Sequence, residues 1–389
     1  MRKKKVLFWI ILPLMALSIL ALSWKVKGFS DFYVRFLFRV FQETFGRISG
    51  LFKFSFGEMM IYFAVFYVAF TVILWIVRLI LLIAKKERFK ALSRANSLLF
   101  VKILILVAVV QCLNCFVLYH TTPLYSDTVY SEYKPNREDL MDLYSKLTVK
   151  ANELSETFER NAKGEVIYKE DLAGLAKITM QGIGEDAKSR LEAGNDVYVL
   201  DNKLKLLSGY YSSPKPFFKS DFFSQQYIMG YYFPFSLEAN YNDMMYIVNI
   251  PNTMCHELSH LKGFIFEDEA NFLAYLGCLN SKDPLFEYSA TVSALEYVSK
   301  ELKKELALEP SIRESLVKPN ELVIFDSVFL TDEAWEEVES DAWFDTDTLS
   351  RASDEFLDTN LTLNGVSDGV ISYSRMVNLL LVYYYGSEN

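Results

Sequence analysis

A chain of 389 residues has room for two or more domains, and 51% hydrophobic residues is high for a purely soluble protein. Charge is split along it. The first 120 residues carry 17 Lys+Arg against 4 Asp+Glu, a balance of +13, which leaves −22 for the remainder of a chain whose total is −9. So acidic a C-terminal part argues against nucleic acid as a partner.

Three apolar runs explain the composition. Val6 to Ser23, Met59 to Ala84 and Leu98 to Tyr119 each approach the roughly 20 residues that cross a bilayer core of about 30 Å. They predict an α-helical anchor of three spans, about 6–24, 59–84 and 98–119, with the lipid bilayer as a partner. Arg2-Lys3-Lys4-Lys5 ahead of the first run also fits a signal peptide, but no small-x-small cleavage site follows, so an uncleaved anchor is expected. Arg2 to Lys5 and the cluster Lys85 to Arg94 belong on the cytoplasmic side. That places the N-terminus inside, and both the 25–58 loop and everything after Tyr119 outside. Within the loop, Phe29, Phe32, Tyr33, Phe36 and Val40 form an apolar helical stripe, and Asp31, Arg35, Arg39 and Gln42 a more polar one. This suits a helix in the headgroup layer or one packed on the spans.

The stretch from His120 to Pro135 reads as a linker, and 121–389 as one mainly α-helical, α+β extracytoplasmic domain. Helical patterns cover Arg137 to Arg160 and Glu170 to Ala193. From Val197 to Ile250 extended structure or loops are expected, with a period near two over Tyr241 to Ile250 and a strand edge ahead of the next helix. Helices follow over about Glu267–Asn280, Leu285–Ala307, Asp332–Ala342 and Gly369–Tyr385, the last buried rather than spanning because Arg375 interrupts it. Cys112, Cys115, Cys255 and Cys278 have no spacing that demands a disulfide, and Cys255 reads as core.

The chemistry concentrates in His256-Glu257-Leu258-Ser259-His260. The chain has only three histidines, and two of them stand four residues apart around a glutamate. On a helix, positions i and i+4 share a face, so both imidazoles reach one metal ion while Glu257 is placed to hold an attacking water. The plainer reading is two surface histidines on an amphipathic helix. Asn252 or Thr253 is expected to cap this helix and Gly263 to end it. The third histidine, His120, lies at the end of a span, far from the motif.

A catalytic zinc needs a third protein ligand. Glu267, Asp268 and Glu269 all fall on the first turn of the next helix. Glu267 shares its stripe with Asn271, Ala274 and Cys278, whose small side chains permit close approach, whereas Asp268 and Glu269 head stripes of larger residues. A Zn–O contact of about 2 Å favours Glu267. The alternatives are Asp268 or Glu269, or acids that merely suit the helix dipole.

H-E-x-x-H followed by Glu267-Asp268-Glu269-Ala270-Asn271 resembles the gluzincin branch of zinc metallopeptidases, which implies a zincin-like domain. Together with Gly263-Phe264 and the late stretch Asp368 to Arg375, it also resembles an uncharacterised bacterial family with N-terminal spans and a zinc-peptidase-like domain. The spacing is shorter than usual in gluzincins, with six residues between His260 and Glu267. Asn271 stands where an aspartate commonly supports a zinc-bound histidine, and its amide oxygen accepts the same ring N–H. The resemblance implies Zn2+ on His256, His260 and Glu267, Asn271 behind them, and Glu257 as general base. It also makes Tyr373 and Arg375 candidates for stabilising the oxyanion, although one buried tyrosine and one surface arginine on a packed helix is the plainer reading.

The expected function is a membrane-anchored zinc metallopeptidase acting outside the cytoplasm on a peptide or protein substrate. The alternative is a non-catalytic zincin-like sensor or binding module, against which the intact Glu257 argues. Intramembrane proteolysis is disfavoured, since the motif lies well past the last span in a stretch too polar to insert.

Overall fold

The computed structural model describes residues 2–124, 134–193, 200–305, 314, 316–363 and 372–386. The three apolar runs form helices long and apolar enough to cross a membrane: α1 (Arg2–Lys25) and, after the 25–58 segment, two more described below. Gly28 turns the chain at φ 78 into α2 (Phe29–Tyr33), which passes through a π-helical turn, Val34–Phe38, into α3 (Arg39–Ser49). The second of these apolar helices is α4 (Phe56–Ile83). The third is α5 (Lys90–Gln111), continued by a π-helical turn at Cys112–Phe116 and a 3-10 turn at Leu118–His120. Only 11% of the apolar windows of α1 and α4 is buried by protein, so their remaining surface suits a lipid surround.

The α2–α3 segment differs from its predicted stripes. Tyr33, which was expected beside Phe32 and Phe36, is buried with Val34, Phe38 and Gln42, while Phe32, Phe36, Val40 and Ile48 are exposed. The predicted polar stripe is recruited for docking. Asp31 accepts from Thr122 N at 3.1 Å, and Gln42 Nε2 donates to Tyr210 O at 2.9 Å. The helix therefore presents one face to the rest of the protein and an apolar face outward.

Beyond the spans, α6 (Arg137–Ser155) ends five residues before the expected boundary, in a turn closed by an Arg160–Val166 bridge. It is followed by α7 (Leu172–Glu192). Extended structure in the next segment is sparse: β1 (Lys215–Pro216), β2 (Gly230–Phe233) and β3 (Glu238–Tyr241). They form a sheet of order β1-β3-β2, with β1 parallel and β2 antiparallel to β3. β2 is thus an edge strand. Of the expected period-two stretch from Tyr241 to Ile250 only Tyr241, which ends β3, is in a strand, because the polar residues after it turn the chain. Asn242 Oδ1 accepts from Met244 N at 3.1 Å and its amide donates to Ser224 Oγ at 2.8 Å, and a 3-10 turn at Ile247–Asn249 follows.

That turn runs into α8 (Ile250–His260), which starts earlier than the expected cap at Asn252 or Thr253. Pro251 sits in its first turn, where a missing N–H costs nothing. Gly263, at φ 92, ends it as expected. Then come α9 (Glu267–Asn280), with the predicted bounds, and α10 (Pro284–Glu305). The chain continues through α11 (Glu321–Asp326), α12 (Asp332–Ser340), α13 (Thr346–Leu363), which sequence patterning missed, and α14 (Ser372–Tyr385). Met376, Val377 and Leu380 on α14 are buried, so this helix belongs to the core as expected. The hairpin of α8 and α9 lies at the centre: Cys255, Leu258, Phe272, Leu273, Ala274 and Cys278 are all fully buried.

The spans and the C-terminal region are joined by buried polar contacts. Glu238 on β3 accepts from Gly57 N at 2.7 Å and Phe56 N at 3.3 Å, at the start of α4, and pairs with Lys215. Asn114, in the π-helical turn of the third span, donates to Pro234 O at 2.8 Å, while its own carbonyl accepts from Tyr232 OH at 3.2 Å.

Candidate metal centre

One face of α8 carries His256 and His260, and the first turn of α9 brings Glu267 against them. The Nε2 atoms of the histidines lie 3.0 Å apart. Glu267 Oε2 is 3.1 Å from His256 Nε2, and Oε1 is 3.7 Å from His260 Nε2. The ligand atoms of the three residues all lie within 4.8 Å of one another. His260 is buried, whereas the Glu267 side chain is 46% exposed, so the cluster is closed behind His260 and open on the glutamate side.

The opposite edges of both rings are fixed. His256 Nδ1 lies 2.8 Å from Asn271 Oδ1, and His260 Nδ1 lies 2.6 Å from Phe264 O. A carbonyl oxygen only accepts, so His260 carries its proton on Nδ1, and the amide oxygen of Asn271 sets the same tautomer on His256. Both rings direct their Nε2 atoms at each other and at a carboxylate. A positive charge, whether a proton or a metal ion, is favoured at that point, and two imidazoles with one carboxylate are a donor set that zinc accepts. Burial alone would lower the His260 pKa, but the charge and hydrogen bonding of Glu267 raise it to about 9. Burial would likewise raise Glu267, yet the histidines hold it well below the usual carboxylate range.

The three successive acids of α9 face three ways, as 100° steps require. Glu267 meets the histidines. Asp268 Oδ2 lies 3.4 Å from Arg375 Nε on α14. Glu269 Oε1 accepts from Leu124 N at 2.6 Å, at the exit of the third span. Arg375 therefore faces Asp268 and not the three ligand atoms. The Tyr373 side chain and residues 364–371, including the late stretch from Asp368, lie outside the described residues. The small stripe of α9 does permit close approach: beyond the Asn271 contact, Cys278 Sγ lies 3.7 Å from Cys255 Sγ.

Glu257 is buried beside the cluster, and its Oε2 has no hydrogen-bond partner among the described residues. Burial pushes its carboxyl up to about 7, against the opposing pull of the two histidines. Gly230, the first residue of β2, packs directly on it: a Cβ there would lie 2.5 Å from Glu257 Oε1. Two residues along, the Tyr232 ring is 6.1 Å from that of His260. Burial, with the neighbouring Cys115 and Glu257, raises the Tyr231 phenol. Reading by motif did not single out Gly230 or Tyr231. The available signal was a glycine opening an otherwise aromatic strand, which marks close backbone approach.

Fold and site together define a mainly helical protein with three apolar N-terminal helices and a His-His-Glu cluster at the start of a central helical hairpin. The chain belongs to the DUF3810 family, described as a protein of unknown function, which it matches over residues 33–381. No curated protein and no solved structure matches the chain. The expectation of an uncharacterised family is thereby met, and the family's description names no chemistry.

Proposed function

We propose that this protein is a membrane-anchored zinc metallopeptidase with a zincin-like domain, hydrolysing peptide bonds of a peptide or protein substrate outside the cytoplasm. The observation that carries the reading is the convergence of His256 Nε2, His260 Nε2 and Glu267 carboxylate oxygens, with an unpartnered buried carboxylate, Glu257, on the same helix. A zinc ion held there would polarise the scissile carbonyl and draw the pKa of a bound water from 15.7 toward about 7.

The chain's own residues supply the rest. Asn271 and the Phe264 carbonyl hold both imidazoles in the ligating tautomer. Glu257 takes a proton from the attacking water and returns it to the leaving amine, a role suited to a carboxyl near pH 7. β2, as an edge strand, offers backbone groups to an extended substrate. Its first residue lies against Glu257, so a chain paired there has its peptide bonds at the site.

In full-length protein reconstituted in nanodiscs, Glu257→Gln retains bound zinc and slows hydrolysis of a mixed peptide library about 100- to 10,000-fold. Wild-type protein that holds zinc but cuts nothing would sink the reading in favour of a binding module.

A further inference from the structure

We infer that the polypeptide acted on at this site is tethered to the same bilayer, on the N-terminal side of the bond that is cut. The inference rests on the peptidase reading above and names its substrate class.

The site is distant from the spans in sequence but built against them in space. The Tyr119 ring, at the end of the third span, lies 6.0 Å edge-on from that of Phe266, the residue before Glu267. On another side, Gly263 just beyond His260 packs on Val34: a Cβ at Gly263 would lie 2.7 Å from Val34 Cγ1. Val34 lies in the α2–α3 segment, whose outward face exposes Phe32, Phe36 and Val40. One helix, about 10 Å thick, therefore separates the loop after His260 from an apolar face that suits lipid.

β2 spans the same short distance. At its start Gly230 touches Glu257, and at its end Phe233 touches Gly57, in the first turn of the second span. Between them, Tyr232 bonds to Asn114 within the third span. Three residue steps of a strand cover about 10 Å. A substrate paired to the outer edge of β2 thus passes from Glu257 to the ends of the apolar helices in three or four residues. A soluble protein would have to press a folded surface against the bilayer to enter, whereas a segment emerging from the membrane is already aligned.

Direction follows from pairing. β2 runs from Glu257 toward the spans, and antiparallel pairing is the more stable per residue. The substrate then runs from the membrane toward Glu257, so the residues preceding the scissile bond lie nearest the lipid.

The test uses full-length protein in nanodiscs and one randomised peptide library in three forms: free, N-terminally palmitoylated and C-terminally palmitoylated. Products are located by mass spectrometry, with Glu257→Gln as the control. The expected result is that the N-palmitoylated form is cut about tenfold faster than the free form or more. Its cuts should cluster about three to eight residues from the anchor, whatever the peptide length. Equal cutting of free peptides, cuts scattered along the anchored ones, or preference for the C-terminal anchor overturns the inference while Glu257-dependent hydrolysis leaves the peptidase reading standing. No cutting of any form by zinc-loaded protein overturns both.

Discussion

His256 and His260 face each other Nε2 to Nε2 at 3.0 Å, each already committed on its other nitrogen to an oxygen acceptor. Both Nε2 atoms point at one spot and Glu267 adds a negative charge to it, which favours a proton or a metal ion there. The arrangement is sensible as a ligand set.

Asn271 supports one of these rings without reaching the ligand point. Asn271→Ala should weaken zinc affinity about 10- to 100-fold, read by competition with a chromophoric chelator. Asn271→Asp, which still accepts from His256 Nδ1, should keep the affinity near wild type.

Gly230 is a packing constraint placed directly on Glu257. In Gly230→Ala the new methyl, 2.5 Å from Oε1, has to displace the carboxylate. Zinc content and thermal stability should stay close to wild type while peptide hydrolysis falls about tenfold or more. Unchanged hydrolysis would mean that the position of Glu257 is immaterial.

Glu269 ties the central helix to the exit of the third span, and burial raises its carboxyl from 4.5 to about 8. Between those values the folded protein holds a proton that the unfolded chain releases. The contribution to stability is complete below pH 4.5 and lost as pH rises through about 8. Glu269→Gln keeps an acceptor for Leu124 N and removes the titration. Its melting temperature should gain on wild type as pH is raised from about 6 to about 8.5. A constant gap would contradict the assignment.

Asp326 is the hub of a second buried polar network. It is fully buried and accepts from both Arg160 Nη atoms at 2.7 and 2.9 Å, from Tyr246 OH at 2.8 Å and from Tyr288 OH at 2.7 Å. Asp326→Ala leaves the guanidinium without its buried counter-charge and should cost about 3–5 kcal/mol in denaturant titration.

Much of this was legible in local pattern. The three long apolar helices, α9 with its bounds, the glycine stop after His260 and the order in which Glu267, Asp268 and Glu269 leave the helix all follow from hydropathy and the 3.6-residue period. What was not legible depended on partners far along the chain. Tyr33 left its apolar stripe because Val34, Phe38 and Gln42 dock on the C-terminal region. Tyr241 to Ile250 alternated like a strand, but the side-chain bonds of Asn242 made it a turn. Gly230 is a site neighbour only because β2 folds onto α8, and Tyr119 because Phe266 folds back to it. Sequence distance hid a spatial contact between the end of the third apolar helix and the residue before Glu267, whose rings lie 6.0 Å apart.

The central claim is a metal centre on His256, His260 and Glu267. Elemental analysis of purified full-length protein tests it most directly, alongside His256→Ala and Glu267→Ala. One zinc per chain in the wild type, lost from both variants while their helical circular dichroism is retained, is the predicted result. Zinc well below one per chain, or a content unchanged by either substitution, would contradict it.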